Sequence, residues 1–386
     1  MSKSLALVPF AERPKPAASR ATSSLSRAGT GFPHLTNAQL VTDPAVADLL
    51  HMLSYMRPAA SLYEEDYIEK YIDCLPTVQK DGYGNRWVVV GASPNIMWSS
   101  HTDTVHNEPG MQQVTLSDGF AYVADSSCLG ADDTCGNWLM IQMIHAHVPG
   151  LYIFHREEEV GGHGSIYVAR HYADEIAKAG IQACVAFDRK GYDSVITHQM
   201  GGRCCSDAFA NSLAAILGGV FAIDTGGTFT DSANYTDIIG ECTNLSVGYH
   251  GAHGPLEATN VAFLVGMRDV LLTADWSQLV MARKPGEADP DEFKWEREFT
   301  GYGYGGTRSQ HRAYAEPVSD YDKEEFEEMH DRVKADPEIL ARFILEMGYT
   351  VDDVEDFAST YYDDPAYSDA EPDPLSGERG DDDRRQ

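Results

Sequence analysis

The sequence is poor in positive charge: 29 Lys and Arg stand against 60 Asp and Glu over 386 residues, a formal net charge of −31. Such a surface repels phosphate backbones, which excludes nucleic-acid binding through a basic patch and leaves solubility as the main role of the acid. Long apolar runs are missing too. The longest near the N-terminus, LALVPF from Leu5, is shorter than a signal-peptide core, and no stretch approaches a membrane span. Secretion through such a signal and membrane partners are therefore not expected. The seven cysteines contain no C-x-x-C pair and are odd in number, and the adjacent Cys204 and Cys205 have a spacing that strains a disulfide. A reduced, cytoplasmic chain is the reading, not a disulfide scaffold.

What is present is 43% hydrophobic and 23% charged sequence, enough for one large α/β domain with appendages. Residues 1–40, rich in Ser, Ala, Pro and Arg, read as a disordered N-terminal arm. Residues 41–283 carry the periodic patterns of a folded domain. Residues 284–350 read as a flexible linker, with GYGYGG from Gly301 and short helices over 323–333 and 337–347, the second capped by Asp336 with Pro337 at its first position. Residues 351–386 form an acidic tail, read as disordered and open to an unknown partner.

Inside the domain, two helices are expected between residues 43 and 71, broken near Pro58, with Ser61 and Glu64 as a capping box for the second. DGYGN from Asp81 is a turn before a strand. Apolar runs then alternate with helical patterns over 137–147, 165–179, 207–217 and 257–279. Such alternation predicts a three-layer α/β/α sandwich around a mostly parallel mixed sheet, with the site at the strand carboxyl ends.

Five segments place polar chemistry at those ends: HTDTV from His101, GADDTCG from Gly130, REEEVGGHGS from Arg156, AFDRKG from Ala186 and HGPLE from His253. From His101 to Asp132, Glu159, Asp188 and His253 the steps are 31, 27, 29 and 65 residues. His101 offers a ring nitrogen to a metal while Asp103 takes the other ring N–H. Asp132, on a glycine-flanked turn, has two oxygens with which to bridge two cations, and Asp133 reads as the helix cap. Three consecutive glutamates at the end of a buried strand repel one another unless cations are near. Glu159 is the candidate ligand, and Glu158 is left as the general base that holds the attacking water. Glu157 reads as solvent-facing. Asp188 is a candidate ligand for the metal of His101; Arg189 and Lys190 read as solvated charges. His253 is preferred to His250 as the last ligand, with Glu257 capping or orienting behind it. Taken singly each segment has a plainer reading, a solvated turn or an N-cap; all five in order do not. Two histidines with several carboxylates suit two Zn2+ ions, with cobalt or manganese next. Such a pair polarises a carbonyl and acidifies a water between the ions, the requirement of amide hydrolysis.

At these residues the chain resembles the co-catalytic zinc exopeptidases, the clan of peptidase T, the glutamate carboxypeptidases, acetylornithine deacetylase and the single-domain bacterial aminopeptidases. The likeness covers residues 81–257, and DGYGN is similar to the family's Asp-x-x-Gly-Asn turn. It implies that His101 and Asp188 hold one metal, that Glu159 and His253 hold the other, and that Asp132 bridges through a cis peptide to Asp133. Glu158 is then the base, Asp103 supports His101, and residues 41–283 are the catalytic domain. Many relatives insert a lid or dimerisation domain before the last histidine. Only 65 residues separate Asp188 from His253 here, which implies a single-domain architecture without it.

The expected substrate is a small peptide or an acylated amino acid. A cluster of carboxylates receives a free α-amine, which favours an aminopeptidase. Arg203 as a carboxylate clamp favours a carboxypeptidase or N-acyl-amino-acid deacylase, although it also stands four residues before Asp207, the spacing of a helical ion pair. His198 and Tyr249, at strand ends, are the other candidate substrate contacts. A non-enzymatic binding module of the same fold is the reading from another class. A calcium or magnesium phosphohydrolase is disfavoured by the two histidines and the acidic surface.

Overall fold

The computed structural model describes residues 32, 35–200, 202–218, 220–287 and 334. The expected acidic tail, both linker helices and most of the expected N-terminal arm lie outside these residues. The chain divides into two units, Met1–Gly301 and Tyr302–Gln386; the sheets, their helices and the candidate site all lie in the first. Within the stretch expected as the arm, Asn37–Leu40 forms a helical turn closed by a Thr36–Gln39 capping box. Phe32 meets Phe263 edge-on at 4.9 Å.

The central sheet has eight strands: β1 Gln79–Lys80, β2 Arg86–Val90, β3 Ile96–His101, β4 Gly150–His155, β5 Ala183–Arg189, β6 Ser194–Ile196, β7 Ala222–Asp224 and β8 Glu241–Ser246. Their spatial order is β7-β6-β8-β5-β3-β4-β2-β1. The inner pairs β8/β5, β5/β3 and β3/β4 are parallel, as is β7/β6. The pairs β6/β8, β4/β2 and β2/β1 are antiparallel, which makes the sheet mixed.

Alternation along the strands decides the layers. Val88 and Val90 of β2 pack into one buried cluster, Trp87 and Val89 into another. Tyr152 and Phe154 of β4 oppose Leu151 and Ile153 in the same way. Side chains of a strand point alternately to opposite faces, so the two clusters are the two faces of the sheet. The first face is covered by the helices α1 Pro44–Met52, α3 Ala131–His145, α5 Asp207–Leu217 and α6 Val261–Thr273, through Leu49, Trp138, Leu213 and Leu264. The second is covered by α4 His163–His171 and the helix Ala173–Ala179, through Val168 and Ile176. The result is a three-layer α/β/α sandwich with its sheet buried on both sides. Helix α2 Leu62–Tyr67, started by the Ser61 hydroxyl accepting from Glu64 N–H at 3.2 Å, runs on as a π-turn through Ile72.

Three helices differ from their expected extents. The 137–147 helix is extended to Ala131–His145, kinked at Asp132 and Asp133, whose backbone is non-helical. Asp133 caps the turn that follows, as expected, its Oδ1 accepting from Gly136 N–H at 2.9 Å. The 165–179 helix breaks at Tyr172, where φ is −127°. The 257–279 helix spans only Val261–Thr273, capped by Asn260, whose side-chain oxygen accepts from Phe263 N–H at 3.0 Å. FAYVA contributes Phe120–Tyr122 to a separate four-stranded antiparallel sheet with Thr115–Ser117, Tyr249–His250 and Ala258–Asn260. The last two of these strands pair with each other, so the loop carrying His253 closes a hairpin.

Candidate metal centre

Strand register brings the five segments to one place. The β3/β4 pairing aligns His101 with His155, so the glutamates begin just beyond that rung. The β3/β5 pairing aligns Ser99 with Ala186, which sets Asp188 level with His101. Between β5 and β8 the register slips from Asn244↔Ala186 to Ser246↔Arg189. Such a bulge re-aims a side chain at the end of a strand. The Asn244 amide replaces the lost ladder bonds, accepting from Asp188 N–H and donating to its carbonyl, both at 2.9 Å.

Asp132 lies at the middle of the group. Its Oδ1 is 3.0 Å from His101 Nε2 and its Oδ2 is 3.3 Å from His253 Nε2. Asp188 Oδ1 is 3.7 Å from His101 Nε2, and Glu159 Oε2 is 3.1 Å from His253 Nε2. Donor atoms of His101, Asp132 and Glu159 lie within 4.8 Å of one another, as do those of His101, Asp133 and Asp188. Neither group includes Glu158, whose Oε2 is 4.0 Å from His101 Nε2, or His253, which meets Asp132 and Glu159 from the hairpin loop. Asp133 belongs to one group by distance, yet its carboxylate already accepts from the Ser100 hydroxyl and from His101 and Gly136 N–H. Asp132 is therefore the aspartate free to bridge. The peptide bond joining the two is cis.

Neighbouring groups hold each of these side chains. The main-chain carbonyl of Asp103 accepts from His101 Nδ1 at 3.1 Å. A carbonyl can only accept, so Nδ1 carries a proton. Burial works against a charged ring, but Asp103 and Asp132 hold it well above its ordinary value in the metal-free chain. Nε2 then carries a second proton toward Asp132, and a metal would take the place of that second proton. The Asp103 carboxylate, 3.4 Å from Nδ1, also accepts the backbone N–H groups of Glu158 and Glu159 at 3.1 Å each. Thr230 Oγ1 at 2.6 Å and Tyr249 OH at 3.2 Å donate to Asp188. Glu257, 2% exposed, accepts from Leu129 and Gly130 N–H at 2.8 Å and from Asp132 N–H at 3.0 Å. It thus orients the Asp132 loop, whose Gly130 needs the left-handed φ of 71°. The DGYGN turn closes the base of the glutamate loop. Asp81 Oδ1 accepts from the N–H groups of Tyr83, Gly84 and Asn85. Asn85 in turn accepts from Arg156 N–H at 3.0 Å and donates to Gly164 O at 3.1 Å. A Cβ on Gly164 would lie 2.3 Å from the Arg156 carbonyl, so no larger residue fits that closure.

The other sequence candidates are placed as follows. Arg203 Nη1 pairs with Asp207 Oδ1 at 2.7 Å, and Arg203 stands opposite His198 on a short hairpin. Tyr249 is buried against Asp188. Arg189 corrects the expectation of a solvated charge: its side chain is 17% exposed and pairs with Asp224 at 3.4 Å and Gly226 O at 3.0 Å. Glu157 corrects the expectation of a solvent-facing side chain in the same way, since it accepts from Tyr83 OH and pairs with His163. His250, the alternative to His253 as last ligand, packs edge-on against Phe120 at 5.9 Å. Two buried residues went unread as site elements, Arg57 and Glu64. Both bond to Thr102, between His101 and Asp103.

Crowded acid dominates the electrostatics. Burial, then the Asp132 charge, pushes Asp188 up to about 7. Burial raises Glu158 well above the carboxylate range despite the nearby His101 ring. Burial also raises Asp133, with Asp188 adding to it. Burial works against ionised Asp132, but hydrogen bonds from His101 and His253 outweigh it and hold the carboxyl low. His253 is pushed up to about 11 by its bonds to Asp132 and then Glu159. Glu159 Oε1 is buried without a partner. An orphaned carboxylate oxygen, mutually repelling acids and two imidazole nitrogens are a donor set that a divalent metal ion fits.

No family model matches the chain, and no curated protein matches it. Among solved structures it is similar to the aminopeptidase PepT from Bacillus cereus, at 13% identity and a TM-score of 0.48, over 59% of this chain and 96% of that one. An aminopeptidase from the archaeon Desulfurococcus kamchatkensis aligns at 11% identity and 0.46, over 67% and 98%. A tripeptidase from Staphylococcus aureus aligns at 14% and 0.44, over 59% and 96%.

Proposed function

We propose that this chain is a dinuclear zinc-dependent hydrolase of peptide bonds, an aminopeptidase acting on small peptides in the cytoplasm, built without a lid domain. The observation that carries the reading is the division of the Asp132 carboxylate between His101 Nε2 at 3.0 Å and His253 Nε2 at 3.3 Å, with Glu158 Oε2 farther from His101 Nε2, at 4.0 Å, than Asp132 or Asp188. His101 and Asp188 would hold one ion, Glu159 and His253 the other, and Asp132 both; cobalt or manganese would fit the same donors. When bound, the ions supply polarisation of the scissile carbonyl and acidification of the attacking water. Glu158 takes the proton from that water and delivers it to the leaving amine, a role served by a carboxyl whose proton affinity burial has raised. Asp103 keeps Glu158 and Glu159 in register with His101 through the two backbone bonds it accepts.

The amine end of a peptide suits a site walled by carboxylates, and the solved structures similar to this chain bear the names aminopeptidase and tripeptidase. The carboxypeptidase and deacylase readings leaned on Arg203, whose guanidinium is engaged by Asp207. The test is hydrolysis of a panel of aminoacyl amides, short peptides and N-acyl amino acids by the zinc-loaded chain and by Glu158→Gln. Turnover of substrates with a free α-amine is expected, falling by roughly 10²–10⁴-fold in the variant with zinc content unchanged. Turnover confined to N-acyl amino acids, or indifferent to Glu158, refutes the reading.

A further inference from the structure

Residues 58–67 precede all five motif segments, yet they reach the site. Glu64, in the first turn of α2, is completely buried. Its carboxylate accepts from Thr102 Oγ1 at 2.6 Å, from Arg156 Nη2 at 2.6 Å and Nε at 3.3 Å, and from Ala60 N–H at 2.7 Å. Thr102 lies between His101 and Asp103; Arg156 directly precedes the glutamate triplet. Arg57, also completely buried, holds the same loop from the other side, donating from Nε to Thr102 O at 2.8 Å and from Nη1 to Thr134 Oγ1 at 3.0 Å. Helix α2 is thus tied to both loops whose spacing sets the distance between His101 and Glu158.

We infer that Glu64 is a positioning residue of the site: with Arg156 it forms a strut that fixes the glutamate loop against the His101–Asp103 loop and so places Glu158. The inference rests on the functional reading above. Burying a carboxylate for helix capping alone has no physical rationale, because Ser61 already caps α2 and a solvent-facing glutamate would serve as well. Burial between two donors from different loops does have one. A carboxylate–guanidinium fork is directional and fixes distance and angle together, whereas packing alone lets two loops slide.

The test uses the full-length chain loaded with zinc, with Glu64→Gln as the main variant, Arg156→Lys as a second that keeps the charge but loses the fork, and Ser61→Ala as a control that weakens only the helix cap. Glu64→Gln and Arg156→Lys should each lower kcat about 10- to 100-fold with KM nearly unchanged. Both should still bind two zinc ions at saturation, but release one to a chelating competitor about tenfold more readily than wild type. Ser61→Ala should keep kcat and zinc retention within about twofold of wild type, whatever it does to the melting temperature. The inference is overturned if both strut variants keep wild-type kcat and zinc retention. It is overturned equally if Ser61→Ala loses as much as they do, for the effect would then be helix stability. A wild-type chain that neither binds zinc nor cleaves peptides would instead overturn the functional reading on which the strut depends.

Discussion

His101 is 1% exposed, ends a strand with β4 and β5 hydrogen-bonded on either side, and has its Nδ1 committed to Asp103. His253 is 54% exposed and stands in a hairpin loop with φ of 63°, three residues before Leu256, which is 83% exposed. Both rings reach the same Asp132 carboxylate. In the first half of the centre the register of the sheet does the positioning. In the second, the partners are the carboxylates of Asp132 and Glu159 themselves, and these push the His253 ring up to about 11. On the proposed reading, a ligand at a strand end is placed by the fold before any ion arrives, and a ligand on a hairpin loop by the charges it faces.

That difference is sharpest in paired substitutions. His101→Ala leaves the buried Asp103 and Asp132 without their cationic partner, and breaking a buried pair in this way costs about 3–5 kcal/mol of stability in the metal-free chain. His253→Ala removes a half-exposed ring and should cost no more than about 1 kcal/mol. Each should lose zinc and activity. Denaturant unfolding of the two metal-free variants checks this, and equal stability losses would erase the distinction between the halves.

A smaller effect is expected in pH dependence. Asp188 and Glu257 are both pushed up to about 7, by burial first and then by the Asp132 charge, from their ordinary values of 3.8 and 4.5. Between those limits the folded metal-free chain binds more protons than the unfolded one, so its stability falls as pH rises through about 4 to 7. His101 and His253, also raised, act in the same direction: their contribution is complete below 6.5 and is lost only as pH passes their folded values. Zinc should flatten the slope by neutralising the crowded acids. Melting temperatures of the metal-free and zinc-loaded chains from pH 5 to 8 measure it; a metal-free chain that gains stability over this range contradicts the crowding.

The smallest effect belongs to a residue outside either half. Arg203→Ala removes a partly exposed (i, i+4) pair worth about 0.2–1 kcal/mol and should leave kcat/KM within about threefold for every substrate class. A selective loss on substrates with a free carboxylate would restore the clamp that Asp207 otherwise engages.

Much of this was legible in the sequence because an apolar strand that ends in acid or histidine announces both the strand and the site. NIMWSS before His101, LYIFHR before the glutamates and ACVAF before Asp188 show the pattern. The layers followed from alternation of strands and helices. What escaped was whatever depends on a partner far along the chain. Glu64 in LYEED reads as the capping-box partner of Ser61, and only Thr102 and Arg156 show its carboxylate turned to the site loops. Asn244 in TNLS reads as an ordinary strand residue, because the bulge that calls on its amide exists only between strands. Glu257 reads as capping or orienting behind His253, but the loop it orients is that of Asp132, through the N–H groups of Leu129, Gly130 and Asp132. The break at Tyr172 has no Gly or Pro to mark it.

The central claim is one carboxylate shared by two metal positions, and counting zinc tests it directly. Elemental analysis of the wild-type chain after zinc loading and removal of excess metal should give two ions per chain, and Asp132→Asn should retain at most one. A wild-type count of one or none, or two ions kept in full by Asp132→Asn, would contradict the account.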